Sequence, residues 1–385
     1  MSQKKRSIFE EVDSAKPAEP AGAPAVGSID RGQQGARGAV RMWLLLLFVL
    51  VSVMILVGGM TRLTDSGLSI TEWRPITGAV PPLSASAWDT EFEKYQQIDE
   101  FKLQNPDMTL AEFKTIYWWE WGHRQLGRVI GLVWAVGFLG FLVTRKIPPG
   151  WTGRLLTLGV LGGLQGAIGW WMVASGLVDG RLDVASYRLA IHLGLAFVIL
   201  GLISWYVLLL GRSTRDLLAA RRGKEAKLFS LATGLMHLSF LQILVGALVA
   251  GIDAGRSYTD WPLMSGQFFP ATAFDLVPIW TNFFENAGLV QFIHRILGYL
   301  LLIMAVVAWR RSRRSAHPVS RRAFDWVLVM GFGQVVIGIV TVLHAAPWNI
   351  AIIHQLGAIV LWVLIIRARF LAQYPKSQSL RGAVA

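Results

Sequence analysis

LVGGMTRLTDSGLSITEWRPITG, from Leu56 to Gly78, returns as LVGALVAGIDAGRSYTDWPLMSG from Leu244 to Gly266. At a constant offset of 188, Gly58 matches Gly246, Asp65 matches Asp253, Gly67 matches Gly255, Thr71 matches Thr259, Trp73 matches Trp261 and Gly78 matches Gly266. Each copy leaves an apolar run and enters a polar loop. The chain is therefore an internal repeat, and the rest of the sequence obeys the same division. EWGHRQLG (Glu120 to Gly127) is answered by QFIHRILG (Gln291 to Gly298), and Gln165 and Gly169 by Gln334 and Gly338. IHLG from Ile191 is answered by IHQLG from Ile353.

Outward from these copies the chain is 54% hydrophobic with a mean hydropathy of +0.47. Apolar windows of about twenty residues, the length that crosses a bilayer, predict helices over 42–61, 118–143, 152–173, 186–211, 228–250, 287–309, 324–344 and 348–370. The expected fold is an all-α membrane protein, with eight transmembrane helices in two four-helix bundles. Four is an even number, so the second bundle starts on the same side as the first and the halves are parallel repeats.

Basic residues set the direction, because Lys and Arg near span ends stay on the cytoplasmic side. Arg145, Lys146 and Arg154 share one face with the cluster from Arg212 to Lys227, with the cluster from Arg310 to Arg322, and with both termini. The opposite loop 62–117 carries nine Asp or Glu against five Lys or Arg. Both termini are expected to be cytoplasmic. The net charge of +13 is accounted for by this placement, and nucleic-acid binding is not expected.

The division expected is a disordered cytoplasmic tail over 1–40, an N-terminal half over 41–211 and a basic linker over 212–227. A C-terminal half over 228–372 and a short tail over 373–385 follow. The tail has no apolar core of a signal peptide, and its acids argue against a mitochondrial transit peptide. There is no cysteine, which excludes disulfides, iron–sulfur clusters, thiolate-ligated haem and covalent c-type attachment.

His123, His192, His294 and His354 each lie five to seven residues inside a helix that runs inward from the outer face. At roughly 1.5 Å per residue that is about 8 to 10 Å deep for all four. Two helices of each half supply one histidine apiece, as a bis-histidine haem in a bundle requires. A single intramembrane histidine is as well explained by a backbone contact; four at equivalent places in a repeat point to ligands. His237 has no repeat partner, His317 lies in a basic cytoplasmic loop and His344 closes the seventh helix at the outer surface, and all three are read as non-ligands. Arg124 and Arg295 follow a ligand directly and are expected to pair with haem propionates, with interfacial anchoring as the rival role.

Three residues before the histidine the halves differ: Glu120 in the first, Gln291 in the second. At i, i+3 Glu120 is expected near the edge of a haem on His123. It can exchange a proton, whereas Gln offers fixed hydrogen bonds. One reactive site and one bound-cofactor site follow. A dihaem b-type electron carrier also explains four histidines but leaves Glu120 idle. A transporter predicts ionisable residues near the bilayer midplane, where these helices are almost free of charge.

The loop motif GGMTRLTDSGLSITEWRPITGAVPP, the EWGHR motif and the IHLG and IHQLG helices resemble the haem A synthase family, over about residues 42 to 370. The resemblance implies oxidation of the C8 methyl group of haem O to a formyl group, giving haem A, through successive hydroxylations. It implies a substrate haem between His123 and His192, Glu120 as the catalytic carboxylate, and a haem b cofactor between His294 and His354. The chain is similar to the cysteine-free branch of proteobacteria and mitochondria, without the outer-loop cysteine pairs of other members. A bacterial inner-membrane location is implied, with membrane lipid, a haem O synthase and cytochrome oxidase assembly factors as partners, and homo-oligomerisation is compatible with it.

Overall fold

The computed structural model describes residues 28–376, and among them the regular elements are helical. In chain order they are α1 (Ser28–Leu63), α2 (Ala85–Gln96), α3 (Leu110–Val143), α4 (Thr152–Val173), α5 (Ser186–Leu210) and α6 (Thr214–Arg221). There follow α7 (Ala226–Gly251), the single turn α8 (Asn282–Glu285), α9 (Ala287–Ser312), α10 (Pro318–Leu343) and α11 (Trp348–Gln373). Eight of them, α1, α3, α4, α5, α7, α9, α10 and α11, are long and apolar enough to cross a membrane.

Most bounds fall within a few residues of the apolar windows. The first two spans start earlier. α3 begins at Leu110 rather than near Trp118 because Thr109 and Glu112 form a capping box, each side chain bonded to the other's backbone N–H. α1 begins at Ser28, so part of the segment expected to be a tail over 1–40 is helical. The remainder of that tail, 1–27, and most of the carboxy-terminal tail lie outside the described residues. The basic linker also holds a helix, α6, capped by the Ser213 hydroxyl on the Asp216 N–H.

The eight long helices form two rings of four. α1 touches α3 and α5, and α4 touches the same two; α7 touches α9 and α11, and α10 touches those two. The rings meet through α5 against α7 and α11, and through α1 against α11. Indole N–H groups that face no water need an acceptor, and carbonyls of neighbouring helices provide it. Trp43 donates to Val133 O, Trp134 to Leu155 O and Trp362 to Phe197 O, each at 3.0 Å. The last of these ties the rings together in the core that contains Leu200, Ile203 and Ile359.

A polar clamp joins the rings at the end where the four histidines lie. Arg62, near the end of α1, reaches Asp65 and Asp253 at 2.7 Å and Asp183 at 3.5 Å. Its Nε donates to Ala250 O, the repeat counterpart of Arg62 itself, at 3.0 Å. Asp65 and Asp253 both adopt the left-handed conformation, at φ 48° and 49°, which Asp tolerates better than most residues and which here ends α1 and α7 alike. The long loop after α1 folds back as a lid on α3, with Ile70, Trp88, Tyr95, Phe113 and Tyr117 as its buried core.

Candidate functional site

α3 carries His123, α5 His192, α9 His294 and α11 His354. Opposite each imidazole stands a glycine of the neighbouring helix. A Cβ on Gly58 or Gly169 would lie 2.8 Å from Cε1 of His123 or His192, and one on Gly246 or Gly338 would lie 3.0 or 3.1 Å from that of His294 or His354. Carbon atoms pack comfortably at about 3.5 to 4.0 Å, so any larger residue would push the ring aside. The four sites share this construction, although the four glycines belong to four different helices.

The structure brings His294 and His354 together, with ring centres 6.5 Å apart and planes inclined at 74°. Two metal–imidazole bonds of about 2 Å, plus roughly 1 Å from each nitrogen to its ring centre, add to about 6 Å. The separation therefore suits one ion between the rings. Among the described residues no three His, Asp or Glu side chains converge on a point.

The other histidines are placed differently. His237 is exposed on the flank of α7. Nδ1 of His317 contacts Lys376 O at 3.1 Å, and Nδ1 of His344 contacts Val340 O at 2.8 Å, one turn back at the end of α10.

Glu120 is buried, and its carboxylate faces the lid and Arg124 rather than standing free. Oε2 accepts from the Ser69 hydroxyl and the Ile70 N–H, both at 2.7 Å; Oε1 accepts from Arg124 Nε at 3.0 Å and Nη2 at 2.5 Å. A carboxylate has about four lone-pair sites, and all are occupied. The reason was present in the sequence, since Glu120 and Arg124 are one turn apart on α3 and meet as an i, i+4 pair.

The guanidiniums expected to reach propionates are likewise committed to loops. Arg124 donates to Ile70 O at 2.7 Å and Glu72 O at 2.9 Å. Arg295 donates to Leu263 O and Asp260 O at 3.0 Å, to Tyr258 O at 3.1 Å and to Gln291 Oε1 at 3.1 Å. Gln291 in turn donates to Ala254 O at 2.9 Å and Tyr258 O at 3.1 Å. Both halves thus pin the loop after their first helix to the helix that bears the first histidine. The first half does so with a carboxylate that accepts and the second with an amide that mostly donates.

Sequence reasoning used Gln165 only as a repeat match and passed over Gln242, the contact both glutamines make, and Glu100. Gln165 and Gln242 each donate to the backbone carbonyl of a histidine, His192 and His294, at 3.0 Å. The repeat offset would have found them, because each stands four residues before the glycine that faces its histidine. Glu100 lies within the lid. It is 3% exposed and accepts from the Tyr95 hydroxyl at 3.1 Å, while Asn105 donates to the same hydroxyl at 3.0 Å. Burial, with the charge of Glu120 adding to it, pushes its carboxyl up to about 8. No motif signals it, since its burial depends on how the lid folds.

The family model of cytochrome oxidase assembly proteins, COX15-CtaA, matches residues 41–366. The chain is 69% identical over 383 residues to a haem A synthase of Dinoroseobacter shibae, covering 99% of this chain and 100% of that one. It is 61% identical over 380 residues to a haem A synthase of Paracoccus denitrificans, with 99% of each covered. With the same coverage it is 58% identical over 390 residues to one of Cereibacter sphaeroides.

Proposed function

The chain belongs to the COX15-CtaA family of cytochrome oxidase assembly proteins, and from this premise we propose that it is a haem A synthase, which oxidises the C8 methyl group of haem O to a formyl group. The observation that carries the reading is near-full-length identity to haem A synthases. The eight long apolar helices make it a multi-pass membrane protein, and its bacterial relatives favour the inner membrane. Basic loops on the face of the termini favour a cytoplasmic placement for both ends.

The two rings of like contacts support the reading of 41–211 and 228–372 as repeated halves. His123 and His192 then hold the substrate haem and His294 and His354 a haem b. The 6.5 Å ring separation in the second pair supports bis-histidine ligation there. Haem b, when bound, supplies one-electron redox chemistry; the protein supplies the rest. The facing glycines let the rings approach, and Arg124 with Ser69 and Ile70 fixes the carboxylate of Glu120.

Oxidation at a methyl carbon releases protons, and Glu120 is the group of the first half that accepts one. To do so it must give up one of its four bonds. The Ile70 N–H is backbone and Arg124 is also held by Ile70 O and Glu72 O, so the Ser69 hydroxyl is the donor that a side-chain rotation releases with the fewest other bonds lost. Arg124 and Arg295 hold the loops in place, and contact with propionates is a second role open to donors that remain. A haem O synthase supplying the substrate, and oxidase assembly factors receiving the product, are the partners this chemistry requires.

The test is co-expression of the full chain with a haem O synthase, followed by mass measurement of extracted haems. Haem A together with haem O and haem b is the expected inventory. Haem b alone would favour a dihaem electron carrier.

A further inference from the structure

We propose that the cavity between the end of α4 and the start of α5 binds the phosphate of an anionic phospholipid, whose headgroup braces the seam in which His192 sits. The proposal rests on the reading of the chain as a membrane protein and does not depend on which haem each histidine pair holds. The cavity measures about 270 Å³ and is lined by Ser175, Arg181, Tyr187 and Arg188 among small or apolar neighbours. Among the described residues no acid lines it. Asp183, two residues after Arg181, is turned to Arg62 at 3.5 Å.

Arg188 stands where a helix disfavours a cation, in the first turn of α5 beside the positive end of its dipole. Its Nη1 donates to Trp171 O at 2.7 Å, and the guanidinium lies over the Trp171 ring, 4.4 Å from its centre. Nε is buried without a hydrogen-bond partner. The edge formed by Nε and Nη2 is therefore held in place and unfilled, and a guanidinium edge of this kind takes two oxygens of a phosphate in bidentate fashion. A buried donor without an acceptor is destabilising, and an arriving oxyanion removes that cost.

The position of the cavity selects the source of the phosphate. Trp171 and Tyr187, 41% and 38% exposed, flank Arg188 at the ends of two spans, the level at which amphipathic rings meet lipid headgroups. Along α4 from Trp171, the exposed residues Ala167, Leu164, Gly163 and Val160 form an apolar strip on which an acyl chain can lie. A free phosphate would gain nothing from either feature. The second half has no such site: α10 and α11 are joined by 344–347 alone, against 174–185 between α4 and α5, and Trp171 and Arg188 correspond to Val340 and Ile350. Arg188 lies one turn before His192, and Trp171 two residues after Gly169, the glycine that faces that histidine. A headgroup held by Arg188 therefore clamps α4 on α5 beside His192.

The experiment titrates the delipidated full chain in detergent with dioleoyl phosphatidylglycerol, counts bound lipid by native mass spectrometry and follows the melting temperature. Wild type is expected to hold one phosphatidylglycerol in preference to phosphatidylcholine and to melt higher with it. R181Q/R188Q is expected to bind that lipid more weakly by roughly tenfold or more and to melt alike with and without it. R181Q alone, which alters an exposed loop residue, is expected to lose part of the affinity while melting as wild type does without lipid. R145Q/R154Q removes the same charge at the opposite ends of the spans and is expected to bind as wild type does. Equal weakening in R145Q/R154Q, unchanged binding in R181Q/R188Q, or displacement of the lipid by an equal concentration of inorganic phosphate would overturn the proposal. Loss of haem O and haem A from R181Q/R188Q with phosphatidylglycerol binding intact would give the arginines to the haem propionates and overturn it too. Absence of haem A from wild type after co-expression would count against the proposed function and leave the lipid result standing.

Discussion

A carboxylate with four hydrogen bonds is both an anchor and a candidate base, and Glu120 must be judged as both. Gln291 shows that an amide can hold the equivalent loop, but it does so by donating to Ala254 O and Tyr258 O. The first loop presents donors instead, the Ser69 hydroxyl and the Ile70 N–H. In E120Q, one of these donors faces an NH₂ group or loses its acceptor, which costs about 1 to 3 kcal/mol when buried. We expect E120Q to unfold at a lower temperature, to keep haem O on its histidine pair and to make no haem A. Conversion at the wild-type rate would remove Glu120 from the chemistry and leave it as an anchor. At this scale the matched placement of the four histidines, each against a glycine, was legible because the repeat sets them apart from His237, His317 and His344. The partner of Arg124 was legible too, in the spacing from Glu120, yet the propionate reading obscured it.

Among the elements, the apolar windows located all eight long helices, and their ends were least legible where local chemistry outran hydropathy. The box at Thr109 extends α3 into polar sequence, and α1 continues back to Ser28. The lid was not legible, because its core of Tyr95, Phe113 and Tyr117 is assembled from separate polar-looking segments. Glu100 gives the lid a pH dependence. Its folded-state value of about 8 stands above the ordinary 4.5, so the protonated form is favoured by folding. The stability it contributes is complete below about 4.5 and is lost as the pH rises towards 8. The protection of residues 85–104 against hydrogen exchange, with the intrinsic pH dependence divided out, is therefore expected to fall between those limits, and E100Q is expected to flatten that fall. An unchanged profile in E100Q would mean that another group governs the lid.

For the whole molecule, the repeat announced two halves but not how they join. The joint uses Trp362 on Phe197, Gln355 Nε2 on Ile55 O at 2.6 Å, and the Arg62 clamp. Arg62 has no charged counterpart, since the equivalent position is Ala250, so the repeat could not have revealed it. Arg62 is 13% exposed but its acidic partners are 37 to 46% exposed, and screening reduces their contribution to about 1 to 2 kcal/mol. Halves expressed as separate chains should co-purify when Arg62 is present and separate more readily in R62M. Equal co-purification would place the joint in the apolar contacts alone.

The central claim is that two similarly built histidine pairs do unequal work. It is tested most directly by extracting and weighing the haems from each His→Ala variant after co-expression with a haem O synthase. H123A and H192A should lose haem O and haem A while keeping haem b, and H294A and H354A should lose haem b. Loss of every haem type in equal measure from all four variants, or loss of haem b from H123A and H192A, would contradict the account.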